Sequence, residues 1–291
     1  MNEQMQIGVL YNPYSGQGRA KLLADAVAAE AARRGLGARL IESQKSYEDP
    51  AKLMEGLDAL IVSGGDGTVM PLLEAYATTG TAFAMIPAGN ESLIARAFKM
   101  TSRPSEVIDR VVARNLTKHF FAYANDRPFF LMAGVGLDSV VIEAIHRQRK
   151  GPVGHIGYFL PTLRCLVRYV PPVLRISSGG QVLVDNVSGH CIVANRREYA
   201  RRLDPVPEAD SSVGELVLRF YPEFGKRNYL GWLPQIVRAL PVDPTGSLLF
   251  RANSFSIESG DGRAFSVQVD GDPLGALPLK VRSSEHCISV L

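Results

Sequence analysis

The sequence has few cysteines, little excess charge and no secretory signal. Three cysteines occur in 291 residues, widely spaced, with no Cys-x-x-Cys pair or Cys/His cluster. This pattern argues against a disulfide framework or a zinc site and favours a reducing cytoplasm. The net charge of +3 falls well short of a nucleic-acid-binding protein, so we expect no nucleic-acid partner. No basic stretch precedes a long apolar one at the N-terminus, so we expect no signal peptide.

Long hydrophobic runs are also missing. The most apolar segment, residues 158–174, is interrupted by Arg164, Arg168 and prolines. It cannot span a bilayer as a continuous apolar helix. Any contact with a membrane is therefore expected to be peripheral.

What the sequence does contain predicts two domains. Its hydrophobic content of 46% supports real cores. Strand and helix patterns alternate at the start, which predicts a doubly wound parallel-sheet α/β domain over residues 1–120. Many short strands follow, with helical insertions near 156–167 and 233–240. They predict an antiparallel β-sandwich or barrel over residues 121–291, whose last strand can return to the first domain.

Glycine-rich corners follow two of the predicted parallel strands. The first, Gly64-Gly65-Asp66-Gly67-Thr68, lies between an apolar strand and a helix, where open α/β sheets bind ligands. The second contains Ser15, Gly16 and Gly18, with Arg19 and Lys21 close behind. Glycines permit positive φ and let a phosphate approach bare N–H groups. The alternative is that they only make tight turns, and neither corner matches a P-loop or the G-x-G-x-x-G spacing.

A third candidate loop contains Gly89, Asn90 and Glu91, between a strand and a helix. It could bind phosphate, or Asn90 could simply be the N-cap of that helix, with Glu91 in its first turn.

The order of these loops resembles that of the diacylglycerol kinase catalytic-domain superfamily, which includes bacterial lipid kinases, sphingosine kinases and ceramide kinases. The resemblance rests on Asn12-Pro13-Tyr14-Ser15-Gly16, on Gly64–Thr68 and on residues 87–96. Further matching stretches are residues 133–141, 154–163, 193–199 and 267–275.

The resemblance implies a nucleotide-binding α/β domain and a β-sandwich with the lipid site, the cleft between them being active. It implies transfer of phosphate from ATP, with Mg²⁺, to diacylglycerol, ceramide or a sphingoid base at the cytoplasmic membrane face. Asp272 takes the place of the family's glutamate base, with Asp270 beside it. Asp66 would orient the nucleotide or assist the acceptor hydroxyl. The implied nucleotide-binding residues are Asn12, Ser15, Gly16, Gly18, Gly64, Gly65, Asp66, Gly67, Thr68, Gly89, Asn90 and Glu91.

Several positions depart from the family pattern. Asn90 and Ser92 replace the usual Thr and Asn, and the acidic pair before Gly214 is replaced by Ser212 and Val213. The metal ligands are therefore open, with Glu215, Asp210 or Asp204 as candidates. Asp-Gly is also a strong turn dipeptide, so the alternative for Asp270-Gly271 is a plain hairpin.

The basic clusters at 146–150 and 196–202 are either solvated faces or contacts to anionic lipid heads or nucleotide phosphates. Two other functions are considered. One is a soluble-substrate kinase of the NAD-kinase type, which shares the Gly-Gly-Asp-Gly-Thr loop. The other is a nucleotide- or lipid-binding relative with impaired catalysis. The oligomeric state is open, and a homodimer is one assembly that the sequence allows.

Overall fold

The computed structural model describes residues 4–43, 48–89, 92–148, 164–199, 204–223, 225–238, 240 and 245–291. Asn90, Glu91, the 154–163 stretch and parts of both basic clusters lie outside these residues. The chain divides into two compact units. The first unit comprises Met1–Phe121 and Glu285–Leu291, and the second comprises Ala122–Ser284.

The first unit is built on a parallel sheet, as predicted. Its strands are β1 (Gln6–Tyr11), β2 (Gly37–Glu42), β3 (Ala59–Gly64) and β4 (Ala82–Pro87). They lie in the order β2-β1-β3-β4. The end of the last strand, β15 (Leu279–Val290), adds Val290 beside Phe83 of β4. β3 is buried throughout because helices cover both faces of the sheet.

Among the described residues of this unit, six helices accompany the sheet. They are α1 (Arg19–Arg33), α2 (Pro50–Met54), α3 (Asp66–Val69), α4 (Leu73–Thr79), α5 (Leu93–Ala97) and α6 (Pro104–Ala113). On α1, Ala20, Ala24, Val27 and Ala31 recur at helical spacing and are buried. A 3₁₀ turn over Met70–Leu72 separates α3 from α4, because Pro71 has no N–H to continue the helical ladder.

The second unit is antiparallel, and its predicted sandwich is confirmed. Its strands are β5 (Thr117–Ala124, begun in the first unit), β6 (Arg127–Phe129), β7 (Met132–Val135), β8 (Val173–Ser178), β9 (Gln181–Ala194), β10 (Leu216–Pro222), β11 (Leu248–Ala252), β12 (Ser254–Ser259), β13 (Ser266–Val269), β14 (Asp272–Ala276) and the start of β15. Among the described residues of this unit, the helices are α7 (Leu137–Gln148) and α8 (Lys226–Arg238), and residues 164–168 are also helical.

The long strand β9 belongs to both sheets of the second unit. One sheet runs β14-β13-β7-β9-β10-β11, and the other runs β9-β8-β12-β15. The core contains Val193 and Leu218 from the first of these sheets and Leu174 and Ile257 from the second, all fully buried. No described helix is long and apolar enough to cross a membrane.

Candidate active site

Three loops of the first unit meet at the carboxyl ends of β1, β3 and β4. We call them the first loop (12–18), the second loop (64–68) and the third loop (87–92, of which 90 and 91 are not described). The Asn12 side-chain amide donates to the Thr68 hydroxyl at 3.3 Å, joining the first and second loops. The Ala88 N–H donates to the Gly64 carbonyl at 3.1 Å, joining the second and third.

The first loop approaches the third at Gly16. Gly16 has φ of 59°, and a Cβ added there would lie 2.1 Å from the Ala88 carbonyl oxygen. Gly18 has φ of 89°, but no atom lies within 4 Å of its Cβ position. The positive φ predicted for this corner is therefore confirmed at both glycines. Of these two glycines, only Gly16 is also required because a side chain there would clash with the third loop.

The second loop needs its glycines for a different reason. Gly64, Gly65 and Gly67 do not have positive φ, so the positive φ predicted for this corner was wrong. A Cβ at Gly64 would lie 2.7 Å from the Thr68 hydroxyl oxygen, which explains this glycine by close packing. The Cβ positions of Gly65, Gly67 and Gly89 have no atom within 4 Å. The backbone there borders open space.

Asp66 fastens the second loop to the third. Its Oδ2 accepts from the Leu93 N–H at 2.8 Å, and its Oδ1 accepts from the Ser92 hydroxyl at 2.5 Å and the Ile94 N–H at 3.3 Å. Ser92 in turn accepts from the Ala95 N–H at 3.1 Å and is the N-cap of α5. Asn90 was therefore the wrong residue to predict as the cap.

Two cations follow the first loop. Lys21 pairs with Asp25 at 2.8 Å, and this hydrogen bond raises the pKa of the Lys21 ammonium. Arg19 is exposed at the start of α1 and forms no ion pair with any described residue. Of the two, Arg19 is the cation available to an anionic ligand.

The second unit presents the predicted acidic hairpin. β13 and β14 are joined by Asp270 and Gly271, with φ of 47° and 84°, and Val269 pairs with Asp272. Two central residues with positive φ are typical of a type I′ turn. The prediction of a hairpin at Asp270-Gly271 is thus confirmed for the backbone. The hairpin by itself does not assign a role to the two carboxylates.

The two carboxylates of the hairpin have different surroundings. Oδ2 of Asp270 accepts from the Phe130 N–H at 2.7 Å, and Oδ1 accepts from the Leu131 and Met132 N–H groups at 3.0 and 2.9 Å. Oδ2 of Asp272 accepts from Arg127 at 2.9 Å, while its Oδ1 accepts no hydrogen bond from a described residue. The Asp272 side chain is 49% exposed. The Asp270 carboxylate therefore fixes the backbone of residues 130–132, whereas Asp272 has one carboxylate oxygen that is accessible to a ligand.

The three metal candidates do not form a ligand set. Oδ1 of Asp210 accepts from the Ser212 N–H at 2.9 Å, and Oδ1 of Asp204 accepts from the Tyr199 N–H at 2.9 Å. Glu215 lies 3.6 Å from Arg251. Within the described ranges, no three His, Cys, Asp or Glu residues are grouped so that they could hold a metal. These residues do not fit a magnesium site.

A buried polar cluster in the second unit was not selected from the sequence. Oδ2 of Asp138 lies 3.3 Å from the Tyr199 hydroxyl and 3.1 Å from the Gln268 amide nitrogen. The Tyr229 hydroxyl accepts from the Leu137 N–H at 3.0 Å and lies 2.9 Å from His190 Nδ1. Burial lowers the pKa of His190 and raises that of Tyr199. The signals in the sequence were Asp138, Tyr199 and Gln268, which lie within the matching stretches 133–141, 193–199 and 267–275.

Known proteins match this chain along nearly all of its length. Residues 6–122 match the family model of the diacylglycerol kinase catalytic domain. Residues 132–291 match that of the YegS C-terminal NAD kinase beta sandwich-like domain. The chain belongs to the diacylglycerol kinase superfamily. The resemblance drawn from the three loops is thereby confirmed.

Two diacylglycerol kinases and a yeast NADH kinase are similar to this chain in sequence or in structure. A diacylglycerol kinase of Mycobacterium tuberculosis H37Rv is 27% identical over 297 residues, covering 98% of this chain and 94% of the relative. The crystal structure of a diacylglycerol kinase from Bacillus anthracis has a TM-score of 0.71 at 17% identity, over 100% of this chain and 97% of that one. A yeast NADH kinase complexed with NADH has a TM-score of 0.52 at 10% identity, over 99% and 84%. The two structures show a shared fold.

Proposed function

We propose that this superfamily member is an ATP-dependent lipid kinase that transfers the γ-phosphate to the hydroxyl of a lipid alcohol. The observation that carries the proposal is the junction of the three loops, where Gly16 fits under the Ala88 carbonyl. Such a junction brings glycine backbone from three strand ends to one place, as a phosphate site in an open α/β sheet requires.

The nucleotide phosphates would lie against the open backbone of Gly65, Gly67 and Gly89, with Arg19 supplying positive charge. Phosphoryl transfer depends on holding the phosphate chain in place and stabilising its charge. The polar groups of Asn12, Ser15 and Thr68 belong to the same loops. Asn90 and Glu91 are proposed from the sequence alone. In this account Asp66 is a positioning residue, because its carboxylate is used to hold the third loop.

Asp272 would act as the general base. As the lipid hydroxyl oxygen forms its bond to the γ-phosphorus, the hydroxyl proton passes to the Asp272 carboxylate, and the bond from phosphorus to the bridging oxygen breaks to release ADP. Arg127 holds one oxygen of Asp272 at 2.9 Å and leaves the other for the proton. Kinases use ATP with Mg²⁺, which neutralises phosphate charge. We assign Mg²⁺ no protein ligand.

Diacylglycerol is the first acceptor to test, since the curated relatives carry its name. Ceramide and sphingosine present comparable hydroxyls. The assay is transfer from γ-labelled ATP, with Mg²⁺, to each lipid in mixed micelles, with NAD as a soluble acceptor. A labelled lipid is the expected result. Labelled NAD would contradict the proposal in favour of a soluble-substrate kinase, and ATP binding without transfer to any acceptor would favour a catalytically impaired relative.

A further inference from the structure

Gln268 joins the buried polar cluster of the second unit to the acidic hairpin. Its side-chain nitrogen donates to Oδ2 of Asp138 at 3.1 Å, and its side-chain oxygen accepts from the Gly271 N–H at 3.1 Å. Gly271 directly precedes Asp272, the proposed general base. We propose that Gln268 is a positioning residue, which holds the Asp270-Gly271 turn and thereby places Asp272 for phosphoryl transfer. This inference rests on the proposed function.

The orientation of the Gln268 amide is fixed by its two partners. A carboxylate accepts hydrogen bonds and a backbone N–H donates them, so the amide nitrogen must face Asp138 and the oxygen must face Gly271. The Tyr199 hydroxyl is a second donor to the same Asp138 oxygen, at 3.3 Å. Gln268 is 1% exposed, so bulk water does not replace a partner that is lost. The amide therefore has one orientation in which both of its ends are satisfied.

A glycine on the neighbouring strand makes room for this contact. In the pairing of β13 with β7, Gln268 lies opposite Gly134. A Cβ at Gly134 would lie 2.6 Å from Oδ2 of Asp138 and 2.8 Å from the Gln268 amide nitrogen. Any side chain at this position would force the two groups apart. The bare backbone of Gly134 thus allows Gln268 and Asp138 to meet.

The other contacts of the turn hold its beginning more firmly than its end. The Asp270 N–H donates to the Met132 carbonyl at 2.9 Å, and the Asp270 carboxylate binds the N–H groups of residues 130–132. The Asp272 side chain pairs with Arg127, but these side chains are 49% and 38% exposed, and such a pair contributes little. The bond from Gly271 to Gln268 therefore ties the end of the turn to the buried interior. Displacing a reacting group by about 1 Å can cost about 100-fold in rate.

The first test compares Gln268→Leu with Tyr199→Phe. Gln268→Leu removes both hydrogen bonds of the amide, whereas Tyr199→Phe removes the other donor to Asp138 and leaves the Gly271 bond. Exchange of the Gly271 amide hydrogen, followed by NMR, should become faster in Gln268→Leu only. With micellar diacylglycerol as acceptor, Gln268→Leu should lower kcat by up to about 100-fold at unchanged KM for ATP, and Tyr199→Phe should lower it less. Thermal melting checks that each variant is folded.

Gln268→Glu provides a pH profile that a general loss of stability would not produce. When protonated, the introduced carboxyl can donate to Asp138 and accept from Gly271 as the amide does. The charge of Asp138 raises the pKa of this carboxyl above its ordinary value near 4.3, and its ionisation breaks the contact. We expect the ratio of the variant kcat to the wild-type kcat to fall as pH rises from about 6.5 to about 8.5. The ratio cancels the ionisation of Asp272, which both proteins share.

The other ionisable side chains of the buried polar cluster do not disturb this profile. Burial lowers the pKa of the histidine and raises the pKa of the two tyrosines, so these groups stay neutral between about pH 6.5 and about pH 8.5. They are His190, Tyr199 and Tyr229. A fall in the ratio over this range therefore reports the introduced carboxyl.

Three results would overturn the inference. These are Gly271 exchange in Gln268→Leu as slow as in the wild type, a wild-type kcat in folded Gln268→Leu, or a kcat ratio near one at every pH for Gln268→Glu. If the wild type phosphorylates no lipid, the proposed function fails. The exchange of the Gly271 amide then decides by itself whether Gln268 holds the turn.

Discussion

Asp66 accepts a hydrogen bond from the Ser92 hydroxyl at 2.5 Å, which fastens the glycine-rich second loop to the start of α5. Ser92 is at the same time the N-cap of that helix. One carboxylate therefore sets the position of the third loop and, with it, the spacing of two of the three loops proposed to hold the nucleotide.

Removing this carboxylate should impair ATP binding as well as stability. Asp66→Ala leaves the Leu93 and Ile94 N–H groups without their acceptor, at a cost of about 2 kcal/mol. The matched control is Asp49→Ala, because Asp49 caps α2 by accepting from the Lys52 N–H. Calorimetric titration with ATP should show weaker binding for Asp66→Ala only. Equal ATP affinity in both variants would contradict the positioning role.

Two glycines of the first loop provide a matched pair. Gly16→Ala places a methyl group 2.1 Å from the Ala88 carbonyl oxygen, so the first and third loops must separate. Gly18→Ala meets no atom within 4 Å and suffers only the cost of positive φ, about 1 kcal/mol. We expect a larger loss of ATP affinity for Gly16→Ala. Similar losses would show that loop contact is not what the nucleotide needs.

Substitution of the two hairpin aspartates should affect protein stability to different extents. Asp270→Asn tolerates positive φ but turns an amide toward backbone N–H groups, which should cost about 2 kcal/mol of stability. Asp272→Asn removes only a half-exposed ion pair with Arg127, worth about 0–1 kcal/mol. Urea unfolding should reveal the difference. A larger destabilisation by Asp272→Asn would contradict the roles assigned to the two acids.

The stability of the second unit should fall in mild acid. Burial lowers the pKa of His190 below its ordinary value near 6.5, so the unfolded chain binds this proton first. The contribution of His190 is complete above about pH 6.5 and is lost as pH falls toward the lowered folded pKa. The His190 ring is also held by a contact of 2.9 Å between its Nδ1 and the Tyr229 hydroxyl.

This pH dependence can be followed by fluorescence of the sole tryptophan, Trp232, whose ring centroid is 6.4 Å from that of His190. Between about pH 7.5 and about pH 5.5, the urea midpoint should fall more for the wild type than for His190→Gln. Parallel falls in the two proteins would show that other groups titrate instead.

The strands and the three loops could be predicted because alternating apolar runs and glycine corners are local patterns. The N-cap of α5 could not be predicted, because the Ser92 hydroxyl is held in place by Asp66, a residue 26 positions away in the sequence. The buried cluster was missed for the same reason: Asp138, His190 and Tyr229 come from α7, β9 and α8, and only folding brings them together. The backbone of the second loop was mispredicted because Gly64 is needed for close packing against Thr68, Gly65 and Gly67 border open space, and none of the three has positive φ.

Transfer of label from γ-labelled ATP to diacylglycerol, compared between Asp272→Asn and Asp261→Asn, tests the account most directly. Both acids pair with an arginine in the second unit, Asp272 with Arg127 at 2.9 Å and Asp261 with Arg263 at 2.6 Å. If Asp272 is the base, Asp272→Asn lowers transfer at least about 100-fold at unchanged ATP affinity and melting temperature. Asp261→Asn and Asp272→Glu should retain transfer. Full transfer by Asp272→Asn would contradict the mechanism. If the wild type transfers phosphate to none of the lipids, the proposed function is contradicted.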